Sequence, residues 1–261
     1  MIVDIFFDLD GSLIDGSYRP NVDVSDFRSQ LALLGPEAKV HLNSNRSLPQ
    51  LRSFYDDFGF NGYIVLENGC SYFDPNSGME SKSCASPFNR TELQRSVEFP
   101  VMFTSTDAVA HGQAANTTDG TFIFAESSRN YTMTLYPRQV RDSRPIKDAK
   151  LLQRCYVHLR SVFTNYEVTC DPITYWNILL KPKGVLKSTL LPQLSRSERI
   201  ASFGDSKDDV CMFECSMFCG APLNASDDAK ESVLARSGIV SASSYTKGAI
   251  EFLQAVKAFF L

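Results

Sequence analysis

Three times along this sequence a short apolar run stops at a polar cluster. Ile2–Phe7 stops at Asp8-Leu9-Asp10-Gly11-Ser12, Lys39–Asn43 at Ser44-Asn45-Arg46, and Ile200–Phe203 at Gly204-Asp205-Ser206-Lys207-Asp208-Asp209. The runs have strand length, Val24–Leu34 and Leu48–Phe58 carry helical spacing, and Gly62–Leu66 reads as a further strand. Strands alternating with helices of this length imply βαβ units and a parallel sheet. Ligands of such sheets gather beyond the carboxyl ends of the strands, which places all three polar clusters on one edge.

From about Asp74 the texture changes to a stretch rich in Ser, Pro and Asn. Strand-like Gly120–Ala125 and Tyr131–Tyr136 follow, then a helical segment, Asp148–Phe163, and strand-like Tyr166–Thr169 and Tyr175–Leu180. This reads as an α+β insertion. The α/β rhythm then returns: a helix over Val185–Leu194, strand Ile200–Phe203, helix Asp209–Cys215, strand Met217–Cys219, helix Asp227–Ala235, strand Ile239–Val240 and helix Lys247–Phe259. The expected organisation is one α/β domain, 1–78 and 178–261, split by a smaller domain over 79–177.

Composition narrows the function. With 261 residues, 43% of them hydrophobic, the chain buries a substantial core without disulfides. Lys and Arg number 26 against 30 Asp and Glu, a formal charge of -4 with no basic run. Nucleic acid is therefore not an expected partner, because neutralising its phosphates takes a clustered basic face. Asp4, Asp8 and Asp10 interrupt the first apolar run far short of the ~20 residues a membrane helix needs, so neither a membrane span nor a signal peptide is expected. The seven cysteines (70, 84, 155, 170, 211, 215 and 219) include no CxxC pair. They read as reduced thiols of a cytoplasmic protein, and the helical spacing of Cys211, Cys215 and Cys219 as packing. Sequons at Asn89, Asn116, Asn130 and Asn224 mean little without a secretory route.

Each cluster has a chemical and a plain reading. Asp8 and Asp10, two residues apart on a chain leaving a strand, can converge on one cation, with Gly11 allowing a tight turn above them. An ordinary Asp/Gly turn offers the same residues. An EF-hand does not fit, since Leu13 and Arg19 occupy the positions its Gly and Glu would need. Ser44 presents a hydroxyl where a helix begins, which suits an anion but also a simple N-cap. Asp205, Asp208 and Asp209 stand at a helix start, where acids also favour the helix dipole. Lys187 by itself is a surface lysine.

In their order these clusters resemble the haloacid dehalogenase superfamily of phosphatases, whose motifs are DxD(G)(S/T), a strand-terminal Ser or Thr, a Lys, and GDxxxD. Glu67-Asn68-Gly69, Gly184-Val185-Leu186-Lys187 and Asn224-Ala225-Ser226-Asp227-Asp228-Ala229-Lys230 are similar to the branch with a type-C2 cap between its second and third motifs. That branch includes the Cof-type, sucrose-phosphate and mannosyl-3-phosphoglycerate phosphatases. The resemblance covers nearly the whole chain. Ser12 stands where the family often has Thr, Ser44-Asn45 for Thr-Gly, and Asp208 for Asn.

The resemblance implies a Rossmann-like parallel-sheet α/β core with an inserted α+β cap domain, and a set of roles. Asp8 would attack phosphorus, and Asp10 would protonate the leaving oxygen and later deprotonate water. Mg2+ would be held by Asp8, the Asp10 carbonyl and Asp205, with Asp209 in or beside that set, and Asp209 or Asp208 orienting Lys187. Ser44 and Lys187 would bind the phosphate, with Asn45 and Arg46 next to them on the substrate. Lys181 and Lys183 compete for the role of Lys187, and the Gly-Val-Leu-Lys spacing favours Lys187. In the cap, Arg129, Tyr131 and Arg138 are substrate contacts or solvated strand residues. His41, His111 and His158 read as structural. The implied activity is Mg-dependent hydrolysis of a small phosphorylated metabolite, a sugar phosphate, through an aspartyl-phosphate on Asp8. A phosphomutase using the same intermediate and an inactive phosphometabolite-binding module are the alternatives.

Overall fold

The computed structural model describes residues 3–83, 85–105, 118–173 and 176–260. Cys84, His111 and the sequon at Asn116 lie outside these residues, as do Ile2 and Tyr175, which begin two of the expected strands. The strands are β1 (Val3–Phe7), β2 (Ala38–Asn43), β3 (Ile64–Leu66), β4 (Ser71–Asp74), β5 (Met79–Lys82), β6 (Val101–Thr104), β7 (Gly120–Glu126), β8 (Met133–Arg141), β9 (Arg144–Ile146), β10 (Tyr166–Asp171), β11 (Asn177–Pro182), β12 (Ile200–Phe203), β13 (Phe218–Ala221) and β14 (Ile239–Val240). The helices are α1 (Val24–Ala32), α2 (Leu48–Phe58), α3 (Arg90–Ser96), α4 (Ala149–Val162), α5 (Leu191–Leu194), α6 (Val210–Glu214), α7 (Asp227–Ala235) and α8 (Tyr245–Phe260). Among the described residues no helix is long and apolar enough to cross a membrane.

The chain divides into one unit of Met1–Cys84 with Leu186–Leu261 and a second of Ala85–Val185. In the first, the strand order is β14-β13-β12-β1-β2-β3-β4-β5. The pairs from β14 to β3 are parallel, as the alternation of strands and helices requires, and β4 and β5 add an antiparallel hairpin. Every residue of β1 is buried, because both faces of this middle strand are covered. On one face Phe7 meets the rings of Phe27, Phe60 and Phe252 edge-on at 5.5, 6.1 and 5.8 Å. On the other, Phe6 packs with Val65, Leu191 and Met212. In the second unit the order is β10-β11-β8-β7-β6, with β9 on β8. There α4 lays Leu151, Leu152, Cys155 and Leu159 in one cluster with Met133, Leu135, Ile178 and Leu180.

Three expectations are corrected. The polar stretch after Asp74 opens with the turn of the β4–β5 hairpin, in which Asp74 Oδ1 accepts from Asn76 N at 2.9 Å. Its pairing keeps residues 79–82 in the first unit, while β11 keeps 177–182 in the second, so the division falls near 85 and 185 instead of 79 and 177. The polar texture also hid α3 and β6. Finally, the helix expected over Val185–Leu194 is helical only at α5. Its first half is a turn because Asn43 Nδ2 takes the Lys187 carbonyl at 2.9 Å and Thr189 Oγ1 takes the Leu186 N–H at 2.8 Å.

At the amino end of β1 lies a buried polar group, and it gives the fold a pH dependence. His41 Nδ1 accepts from Tyr63 N at 2.9 Å, which leaves the proton on Nε2, 3.1 Å from Asp4 Oδ1. Burial holds His41 below its usual range against the pull of Asp4. Burial would raise Asp4, but the hydrogen bonds from His41 and Arg196 N hold its carboxyl below the usual value. Below about 6.5 the unfolded chain therefore binds a proton at position 41 that the folded chain does not, and stability falls as pH drops through that value. Asp4 adds the same sign nearer pH 4. Denaturant unfolding at pH 7.5 and 5.5 should show a larger loss of stability for the unaltered protein than for His41→Gln. Equal losses in the two would remove His41 as the cause.

Candidate active site

The sheet register brings the three polar clusters together. Phe7 is paired with Leu42 and with Phe203, so Asp8, Ser44 and Asp205 leave the sheet at nearly one level. Asp8 N donates to Phe203 O at 2.9 Å, and buried Leu9, Leu13 and Ile14 anchor the loop that follows. Gly11 turns this loop at φ +84, and a Cβ there would lie 2.2 Å from Asp205 Oδ2, so only glycine admits the approach.

Four ionisable side chains form the centre. Lys187 Nζ donates to Asp8 Oδ1 at 2.7 Å and to Asp209 Oδ1 at 2.6 Å, with all three buried. Ser12 Oγ lies 3.0 Å from Asp8 Oδ2 and 3.1 Å from Asp205 Oδ1, sharing its one proton between two carboxylates. Asp209 Oδ2 accepts from Asp205 N, Ser206 N and Ser206 Oγ at 3.1, 2.9 and 2.8 Å, which fixes the chain carrying Asp205. Burial pushes Asp8 well above the usual carboxylate range; Lys187 pulls it back, and Asp209, Asp205 and Asp10 push it further up. Burial, with Asp209 beside it, raises Asp205 to about 6. Burial would lower Lys187, but Asp209 and Asp8 outweigh it and hold the ammonium well above the usual lysine range.

Asp8, Asp205 and Asp209 each offer an oxygen within 4.8 Å of the others, the one such group among the described residues. Three carboxylates against one ammonium leave two negative charges, the right deficit for a hard divalent cation with oxygen ligands. Asp209 takes four hydrogen bonds on its two oxygens, two of them from backbone N–H groups, so it is more heavily committed than Asp8 and better placed to support a cation site than to enter it. Asp208, by contrast, is exposed.

Asp10 and Arg46 sit together. Arg46 donates through Nε to Asp10 Oδ2 at 2.8 Å and through Nη2 to Oδ1 at 2.6 Å, with its guanidinium over the rings of Tyr18 and Phe54. The sequence placed Arg46 on the substrate; in the structure its fork is on Asp10. Ser44 is buried, and its Oγ accepts from Arg46 N at 3.3 Å. Asn45 is half-buried beside it.

Some participants escaped the sequence reading. Ser12, in sequence a mere stand-in for Thr, bridges two acids. Asn43, at the end of β2, fixes Lys187 through its carbonyl. After β3 the buried residues Glu67, Asn68 and Gly69 have φ of 48, 60 and 88. Such left-handed conformation costs about 1–2 kcal/mol at each non-glycine position. Asn68 N donates to Ser44 O at 3.1 Å, and neither Asn68 Oδ1 nor Nδ2 has a hydrogen-bond partner.

In the second unit, Arg129 and Arg138 are buried and occupied, not solvated. Arg129 bonds Glu126 Oε2 at 2.6 Å and Thr132 Oγ1 at 2.9 Å, and Arg138 bonds the carbonyls of Pro137 and Trp176. Truncating Arg129 strands a buried Glu126, which costs folding stability before it reports on any ligand. His158 Nε2 lies 2.5 Å from Ser96 O, a local contact within this unit.

The family model for haloacid dehalogenase-like hydrolases matches residues 5–248. A phosphoglycolate phosphatase of Sulfolobus acidocaldarius is 43% identical over 77 residues, 28% of this chain and 33% of that protein. The matched stretch thus spans a third of that relative's length. A haloacid dehalogenase-like hydrolase from Bacteroides thetaiotaomicron superposes with a TM-score of 0.73 at 16% identity, covering 98% of this chain and 100% of the other. A HAD subclass IIB sugar phosphatase superposes with a TM-score of 0.60 at 16% identity over 98% of both chains. Likeness at these identities is one of fold.

A cation that binds Asp205 competes with the proton this carboxyl holds up to about pH 6. Calorimetric titration with a divalent cation should give affinity that rises from pH 5 to 7 and levels off above it, falling roughly tenfold per unit well below 6. Gly11→Ala, which drives a methyl into Asp205, should weaken binding at every pH. Affinity independent of pH would place the cation elsewhere.

Proposed function

The chain belongs to the haloacid dehalogenase-like hydrolases, and on that footing we propose that it hydrolyses phosphomonoesters of small metabolites through a phosphoryl group carried on Asp8. One observation carries this reading: the Asp8 carboxylate is buried at a strand end, gripped by Lys187 on one oxygen and Ser12 on the other, and set among further acids. A carboxylate is a weak nucleophile and gains from being oriented and from having the charge of its target neutralised.

An Asp8 oxygen attacks phosphorus as the bond to the ester oxygen breaks, and that oxygen leaves with a proton from Asp10. A water then gives its proton to Asp10 and attacks the phosphorus, which frees inorganic phosphate and restores Asp8. Lys187 and Ser44 hold the non-bridging oxygens of the phosphoryl group, Lys187 as a fixed charge. Arg46 keeps both oxygens of Asp10 engaged, so each proton transfer exchanges one of these hydrogen bonds. Magnesium suits the acid cluster, with Asp8, the Asp10 carbonyl and Asp205 to hold it and Asp209 to orient them. It would supply neutralisation of the phosphoryl charge. For the substrate class, sugar phosphates are supported by a neighbour of the same fold that is a sugar phosphatase, and small phosphorylated acids by the partial likeness to a phosphoglycolate phosphatase.

Phosphate release over a panel of sugar phosphates, phosphorylated acids and nucleotides with magnesium tests the reading. Asp8→Asn should abolish turnover with the fold intact. Asp10→Asn should slow sugar phosphates about 10²–10⁴-fold but aryl phosphates far less, since a phenolate leaves without protonation. Equal slowing would take the acid role from Asp10, and full activity in excess chelator would exclude the metal.

A further inference from the structure

Neither the fold nor the acid cluster accounts for Asn68. Asn68 is 1% exposed, and among the described residues no other side chain has two buried polar atoms without a partner. A third orphan, Asn43 Oδ1, stands on the same edge at the end of β2. Buried amides are nearly always paired, so an orphan calls for a partner that arrives later. The backbone points the same way. Asn68 is kept at φ 60 between two other left-handed residues, a strain that persists where surroundings enforce it and that gathers at ligand sites.

The position is specific. Asn68 N is tied to the Ser44 carbonyl, and a Cβ on the next residue, Gly69, would come within 2.3 Å of Leu186 O. The turn is thus wedged between the loop that carries Ser44 and the segment that carries Lys187. We propose that Asn68 is a substrate-binding residue of this site, its Nδ2–H donating to a phosphoryl oxygen shared with Ser44 and Lys187. The idea rests on the phosphomonoester reading above. It adds a third donor, held ready by a strained turn, whose unmet hydrogen bond is satisfied only when an oxyanion binds.

Binding of inorganic phosphate in excess magnesium, followed by calorimetry, tests this without turnover. Asn68→Gly keeps the left-handed backbone and removes the amide, and should weaken phosphate roughly ten- to a hundredfold with a melting temperature unchanged or raised. Asn68→Asp, nearly isosteric but anionic, should bind more weakly still. The order Asn, Gly, Asp supports the assignment. Equal affinity in the unaltered protein and Asn68→Gly overturns it, even if Asn68→Asp does not fold. If the unaltered protein neither binds phosphate nor hydrolyses any ester, the phosphatase reading itself falls and takes this inference with it.

Discussion

The Lys187 ammonium, 2.7 Å from Asp8 and 2.6 Å from Asp209, is what lets a sheet edge hold so many acids. Removing one partner from a buried ion pair costs about 3–5 kcal/mol, because the charge left behind has no compensation. Here the ammonium has two partners, and one of them, Asp209, also fastens the backbone at Asp205 and Ser206. Position therefore passes outward from Lys187: to Asp209, from Asp209 to Asp205, and from Asp205 through Ser12 back to Asp8. Lys187 is in turn held by Asn43, so the end of β2 takes part in placing a group that belongs to a segment over 140 residues further on.

How much of this was legible follows from what a sequence encodes locally. The strands ahead of Asp8 and Asp205 are apolar runs that stop at acids, and burial on both faces of a parallel sheet makes such runs plain. Lys187 is singled out by the family resemblance, with the Gly-Val-Leu-Lys spacing favouring it over its neighbours, but the chain around it is not the expected helix. Helical spacing from Val185 to Leu194 is real, yet Asn43 and Thr189 take the backbone groups a helix would need. The pairing of Arg46 with Asp10 and of Arg138 with the Trp176 carbonyl depends on chain brought in from elsewhere, which no local pattern records, whereas Arg129 pairs with Glu126 only three residues away. The β4–β5 hairpin was hidden for the opposite reason: its turn residues are conspicuous, while β5 is too polar to look like a strand.

The site also shows a division between groups at rest and groups under constraint. Asp209 has both carboxylate oxygens hydrogen-bonded, and Lys187, though it sits in a turn, is anchored through its carbonyl and paired with two acids. Asp8 and Asp205 are held where burial disfavours their charge, and Glu67 and Asn68 in a conformation few side chains adopt. Constraint of this kind is sustained by the well-packed sheet behind it, where Phe6 and Phe7 seal opposite faces of one strand.

The order of strands has a consequence in time. During synthesis β1 can pair with β2 soon after both emerge, but its other neighbour, β12, lies almost 200 residues later than β1. Until then β1 offers an open edge of Val, Ile and Phe, the sort of surface that invites non-native pairing. The sheet of the second unit is drawn from one unbroken stretch, 85–185, and waits for nothing downstream. On the ribosome, then, the strand that leads to Asp8 is made long before it is enclosed, and the Asp8 carboxylate stays in water until Lys187 and Asp209 arrive to meet it.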